Sequence, residues 1–298
     1  MKILLAIVCA VLACQLSAEP LKVVVLHPLL GDIARNVGGE QVMVIDLLGP
    51  NGDPHHFQPT SEDLKKTGNA QLYLASGKGL ESYLPTLREI IGGQATIIEV
   101  GATLPSLEGG CDHEEDHDEP AGHDHEHGLD PHWWHSIDAF RRATQVVADA
   151  FVQAAPEHAD EFRASAERYR ESLDKLETWS KREIAKIPRE ARHLATAHAA
   201  FNYFCHEFSF TPHSVQGINR EQIPDAETMA LILKKLKDEQ VAVIFPEEES
   251  NPKILQSLTA DTGIRLGKPL IADGIGMTSY EEMMRHNVNA IVEALAPR

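Results

Sequence analysis

Imidazole and carboxylate side chains recur in this sequence next to strand ends and turns, and together they are the donor set that borderline divalent cations such as zinc take. In "LGPNGDPHHFQPTSED" the turn formers Pro50, Asn51, Gly52 and Pro54 deliver His55 and His56 directly after a strand-like run, and Thr60 with Asp63 can cap the helix that follows. "LDPHWWHSIDAF" puts His132 after Asp130 and Pro131 at the start of a helix, with His135 close behind. His198 follows a strand in "LATAHAAFNYF", and Asp273 follows the last strand in "LIADGIG". Each of these four places is where an open α/β sheet puts ligand-binding groups. His27 in "VLHPLL" also ends a strand; a place behind the ligands or in the core is the expectation for it.

A further cluster differs in kind. "GGCDHEEDHDEPAGHDHEHGLDPHWWH" (109–135) carries seven histidines and nine acidic side chains with hardly an aliphatic residue. Such a composition cannot build a core, because its side chains lose more in desolvation than packing returns. Residues 112–127 are therefore expected to form a solvated loop, with His113, His117, His123, His125 and His127 as accessory metal ligands. Within it "HEEDH" matches the H-E-x-x-H pattern of zinc peptidases, but that pattern needs a buried helix, and Pro120 and Gly122 break helix in a segment with no apolar face.

The remaining sequence bounds the setting. Lys2, an apolar run over 3–13 and small residues ending at Ala18 read as a signal peptide over 1–18, too short to span a bilayer. Cleavage after Ala18 leaves 280 residues, exported to the periplasm or the extracellular space. Lipid anchoring at Cys14 is the less favoured alternative, because Leu12 stands where a smaller residue is usual. The formal charge of −18 owes eight negative charges to 112–127, and such a surface repels nucleic acid and attracts cations. Cys111 and Cys205 survive processing, and either one disulfide or a buried free thiol at Cys205 fits them.

The elements that must position these groups come in two similar halves. Short β-branched runs at 22–26, 42–48, 70–76 and 95–100 alternate with helix-length segments, and runs at 193–197, 213–218, 241–245 and 264–270 repeat the design. Near-continuous apolar strands separated by helices indicate parallel sheets covered on both faces. Between the halves, 156–187 is amphipathic throughout, with Pro156 suited to its first turn and Pro188 to stop it. The expectation is α/β: two lobes, each a parallel β-sheet flanked by helices, over 19–155 and 188–298, joined by one long rigid helix of roughly 45 Å.

Several motifs in order are far more specific than any one. "VVVLHPLLGDIARNVGGEQV", "DPHHFQP", "DPHWW", "TAHAAFNYF", "FPEEESNPKIL" and "ADGIGMTSYEEMM" together resemble the zinc- and manganese-type solute-binding proteins of metal ABC transporters, over essentially the whole mature chain. The resemblance implies that His55, His132, His198 and Asp273 are the ligands, with His56 and His135 as competitors. His55 is preferred over His56 because the Asp-Pro turn fixes its register. It further implies zinc, since manganese-type members place a carboxylate where this chain has His198, and His-rich insertions mark the zinc type.

The function expected is accordingly that of a monomeric receptor, not an enzyme, which captures Zn²⁺ as cargo between its lobes. It delivers the ion to an ABC-type metal permease and accepts it from a zinc-donating metallochaperone. An extracytoplasmic zinc-dependent hydrolase, using His55, His132 and His198 with an open water position, is one alternative. A zinc buffer or adhesin is another. Trp133 and Trp134 read as core or cleft wall. Glu247, Glu248 and Glu249 read as a solvated turn with some prospect of backing a ligand histidine, and His158, His193, His206, His213 and His286 as surface or packing residues.

Overall fold

The computed structural model describes residues 19–49, 52–108, 128–216, 225–248, 255, 259 and 262–297. The 1–18 segment, Cys111 and the five loop histidines lie outside the described residues. Where a sequence run is valine-rich on both faces, a strand buried on both faces results: β1 (Leu21–Val25) is the centre of the first sheet, with Val23, Val24 and Val25 fully buried. It pairs in parallel with β2 (Val42–Asp46) and β3 (Leu72–Ala75), and β3 pairs with β4 (Thr96–Glu99), giving the order β2-β1-β3-β4.

The second half builds the same order from different residues. β5 (His193–Thr196) lies between β6 (Thr211–Ser214) and β7 (Val243–Phe245), and β7 carries the short β8 (Arg265–Leu266), all parallel. In each sheet the chain leaves its first strand toward one side and later returns to the other, so the carboxyl ends of β1 and of β5 lie at topological switch points. The expected α/β architecture of two parallel-sheet lobes with flanking helices is therefore the observed one. Individual strands end short of their apolar runs: the run at 213–218 starts two residues earlier than expected, and the last run yields only two paired residues plus a bridge from Leu270 to Glu247.

Helix α1 (Pro28–Gly38) follows β1, with Pro28 in its first turn and His27 as its cap. α2 (Ser61–Thr67) starts on the expected capping box of Thr60 and Asp63, and α3 (Leu84–Ile91) precedes β4. α4 (Ile137–Ala154), capped by Ser136, leads into α5 (Ala159–Ile184). The long helix begins later than the pattern suggests, because Ala155 at φ −140° breaks the chain and 156–158 form a separate 3-10 turn. At about 39 Å its 26 residues still make it the longest described element. Phe162, Ala166, Leu173, Leu176 and Ile184 seat one face of it in the core.

α5 packs against α1 of the first lobe and against the C-terminal helix, which follows α6 (Asn202–Phe208) and α7 (Ala226–Asp238) and is labelled α8 (Tyr280–Leu295). Buried Asp32 of α1 joins the three: its Oδ2 accepts from the Tyr169 hydroxyl of α5 at 2.7 Å and from the backbone N–H of Tyr280 at 2.9 Å. Among the described residues, no helix is long and apolar enough to cross a membrane.

Candidate metal centre

The turn after β2 presents the first candidate ligand. Asp53 Oδ1 accepts from the His55 N–H at 2.9 Å, and the Asp53 carbonyl accepts from His56 and Phe57 at 3.3 and 3.0 Å, so the chain makes a compact turn that aims His55 inward. His56 leaves on the other side, its side chain 45 % exposed and its Nδ1 2.8 Å from Asp53 Oδ2. Of the two, His55 is the one that lies beside His132 and Asp273.

His132 enters just ahead of α4 and is fully buried. Both its backbone N–H and its Nδ1 meet Asp130 Oδ1, at 2.9 and 2.8 Å, while Asn202 Nδ2 donates to Asp130 Oδ2 at 3.1 Å. His198 follows β5 and is equally buried. Glu247, just past the neighbouring β7, takes its Nδ1 at 2.6 Å and its backbone N–H at 3.0 Å. These carboxylates orient the rings so that Nε2 is the nitrogen turned to the cleft. His198 Nε2 has no hydrogen-bond partner among the described residues, an expensive state for a buried imidazole unless something else takes the lone pair.

The three Nε2-bearing rings converge from separate stretches of chain. His55 and His132 bring their Nε2 atoms to 3.3 Å, His55 Nε2 lies 3.7 Å from Asp273 Oδ1, and the ring centroids are 5.1 to 5.8 Å apart. His55, His132 and His198 each offer a ligand atom within 4.8 Å of the others. Asp273 is 1 % exposed and is held by the turn that follows it, where Gly274 has φ +71° and a side chain would run into Leu29. Trp134 braces the same turn, its indole N–H donating to the Ala272 carbonyl at 2.7 Å.

Burial lowers the His132 pKa, against the opposing pull of Asp130, so the ring is neutral and its lone pair available. His27 and His135 are pushed down to about 3, again chiefly by burial, and stand beside the centre rather than in it. His27 caps α1 through Nδ1 at 3.2 Å and packs on Trp134; His135 stacks on Phe201 at 4.2 Å between centroids. Trp133 and Trp134 are buried wall, as expected.

One sequence reading needs correction. Glu247 is not part of a solvated turn: it is 3 % exposed and carries the second hydrogen bond of His198. The signal was its place, directly after Pro246 at the end of a buried strand beside the switch point. His193 and His213, read as surface or packing residues, lie with Glu239 in a separate trio of ligand-type atoms. Cys205 is a buried thiol, its pKa pushed up by burial.

Comparison with known proteins gives this geometry a context. Residues 23–294 match the family described as "Zinc-uptake complex component A periplasmic". The manganese-binding lipoprotein MntA of Bacillus subtilis is 32% identical over 93% of this chain and 90% of its own. The zinc-binding protein TroA of Treponema pallidum is 27% identical over 94% and 90%. A solved structure of TroA superposes with a TM-score of 0.81 at 26% identity, covering 94% of this chain and all of the other. The family is one of solute-binding receptors for transporters, which removes the hydrolase alternative. The chain belongs to the periplasmic zinc-uptake component A family of metal-binding receptors that serve ABC transporters.

Proposed function

We propose that this protein captures Zn²⁺ between its lobes through His55, His132, His198 and Asp273 and surrenders it to an ABC-type permease. The observation that carries the reading is the donor set: three imidazole nitrogens within 4.8 Å of one another, two of the rings backed by buried carboxylates, with the Asp273 carboxylate 3.7 Å from His55 Nε2. That N3O set suits four-coordinate zinc, whereas manganese prefers a shell richer in oxygen. The relatives named above bind different metals by name, so likeness alone does not select the ion and the choice rests on His198. Competition of the purified protein against a chromophoric chelator tests it, with Zn²⁺ expected to bind at least about a hundredfold more tightly than Mn²⁺. Equal or tighter Mn²⁺ binding overturns it.

The reading extends to the segment 112–127, whose five histidines we take as a weak collector of additional zinc. Deleting it should lower total zinc stoichiometry and leave the tight affinity unchanged; loss of the tight site would make loop histidines primary ligands. The protein acts as a monomer and receives zinc from a donor metallochaperone, which sedimentation and transfer from a loaded donor would test. Preference for cleavage after Ala18 over lipidation at Cys14 finds no support in MntA, whose name includes "lipoprotein". Detergent phase partitioning of a Cys14→Ser variant decides between them.

A further inference from the structure

Away from the cleft, β5, β6 and the end of α7 bring three more ligand-type groups together. His193 opens β5, and His213 stands on the edge strand β6 opposite Ala195, so the two are diagonal neighbours on one face of the sheet. Their rings stack at 5.4 Å, with His193 Nδ1 3.1 Å from His213 Nε2. Glu239 caps the carboxyl end of α7 and reaches both, Oε2 lying 3.9 Å from His193 Nδ1 and 3.5 Å from His213 Nε2.

We infer that His193, His213 and Glu239 form a second binding site for a zinc-type divalent cation, on the second lobe and independent of the interlobe centre. The circle through the three donor atoms has a radius of about 2.05 Å, which is the length of a zinc–nitrogen or zinc–oxygen bond. An ion near its centre would lie at bonding distance from all three donor atoms. Two imidazoles and one carboxylate leave a coordination position for water, and the solvent reaches it because the His193 and Glu239 side chains are 25 % and 34 % exposed.

A helix carboxyl terminus carries partial negative charge, so a carboxylate there is unfavourable unless a positive charge sits beside it. Lys235 and Lys237 occupy the same last turn. Glu239 can accept from a neutral imidazole N–H, and a bound divalent cation would instead join all three donors. The site is also remote from the interlobe centre, since His193 begins the strand that His198 follows, roughly 15 Å along the chain direction.

The test is equilibrium dialysis of the full chain against buffered free Zn²⁺, with wild type beside Glu239→Gln and a His193→Asn/His213→Asn double variant. The double variant should bind one Zn²⁺ fewer, and Glu239→Gln should weaken one class of sites by about tenfold or more with the tight class untouched in both. His198→Ala should do the reverse, losing the tight class and keeping this one, so the two sites fail separately. Isotherms that are identical in wild type and both trio variants overturn the inference and leave a hydrogen-bonded trio. Should the double variant fail to fold, the Glu239→Gln isotherm and anomalous diffraction at the zinc edge from crystals soaked in Zn²⁺ decide. A peak within bonding distance of His193 Nδ1 and His213 Nε2 supports the site, and no peak there at saturating zinc rejects it.

Discussion

The turn at 53–57 and the strand end at 196–198 each deliver one histidine to the same point, and they hold it by different means. His55 is aimed by backbone: Asp53 receives the N–H groups that shape the turn, and the His55 ring meets His132 and Asp273. His198 is aimed by its side chain and its backbone together, with Glu247 gripping Nδ1 and N–H and the Thr196 hydroxyl donating to its carbonyl at 2.7 Å. His132 follows the second pattern through Asp130. On the function proposed above, such a centre has a preorganised wall and one ligand whose position is set by a turn, so the turn is the part that can give when the ion enters or leaves.

The largest expected effect comes from removing a walled ligand outright. His198→Ala should lower zinc affinity on the order of a thousandfold or more, about 4 kcal/mol, because water replaces the nitrogen poorly and Glu247 is left buried without its imidazole. Chelator competition measures this, and retention of tight binding would break both the ligand assignment and the contrast with the turn.

Glu81 supplies the control for that buried carboxylate. It is 4 % exposed and accepts from the Ser76 and Gly77 N–H groups at 2.6 and 3.0 Å, with backbone rather than an imidazole as its hydrogen-bond partner among the described residues, and burial raises its pKa to about 7 from an ordinary 4.5. The folded chain therefore holds a proton there that the unfolded chain loses between pH 4.5 and 7. Through this group stability falls as pH rises across that window, by on the order of 3 kcal/mol, and the loss is complete above about pH 7. Tm measured against pH without metal should be flatter in Glu81→Gln, whatever its absolute value; a slope equal to the wild type across the window would show that burial does not act on this carboxyl.

Weakening the grip without removing the ligand should cost less. Glu247→Gln keeps an acceptor for Nδ1 but loses the charge that raises the basicity of the ring, and about 10- to 100-fold in zinc affinity is expected, with Asp130→Asn similar. The smallest effect belongs to the turn. Asp53→Asn preserves Oδ1 as acceptor for the His55 N–H, so affinity should change by about threefold or less while the zinc dissociation rate, measured by stopped flow, rises. A loss as large as that of Glu247→Gln would place the two histidines under the same kind of control.

How much of this could be read beforehand differs with the range of the interaction involved. The valines of β1, the Thr60/Asp63 cap and the amphipathic 159–184 stretch declare themselves locally, because each follows from a period or a fixed offset. His55, His132, His198 and Asp273 were legible as turn and strand-end residues, and their resemblance to a family tied them together. That one of Glu247, Glu248 and Glu249 could back a ligand histidine was legible, but which one and which histidine were not, since three consecutive glutamates look solvated until the β5–β7 pairing puts the first of them beside His198. The His193–His213–Glu239 trio needed the β5–β6 register and the exact end of α7, neither of which a single sequence specifies.

The helix α5 carries a consequence for dosage. One unbroken helix seated on α1 and α8, pinned through Asp32, restrains how far the outline of the protein can change when the ion leaves. On the function proposed above, a permease reading that outline meets empty and loaded receptors of nearly the same form. The empty receptor then occupies docking sites that loaded receptor needs, and uptake at scarce zinc should pass through a maximum as receptor abundance is raised.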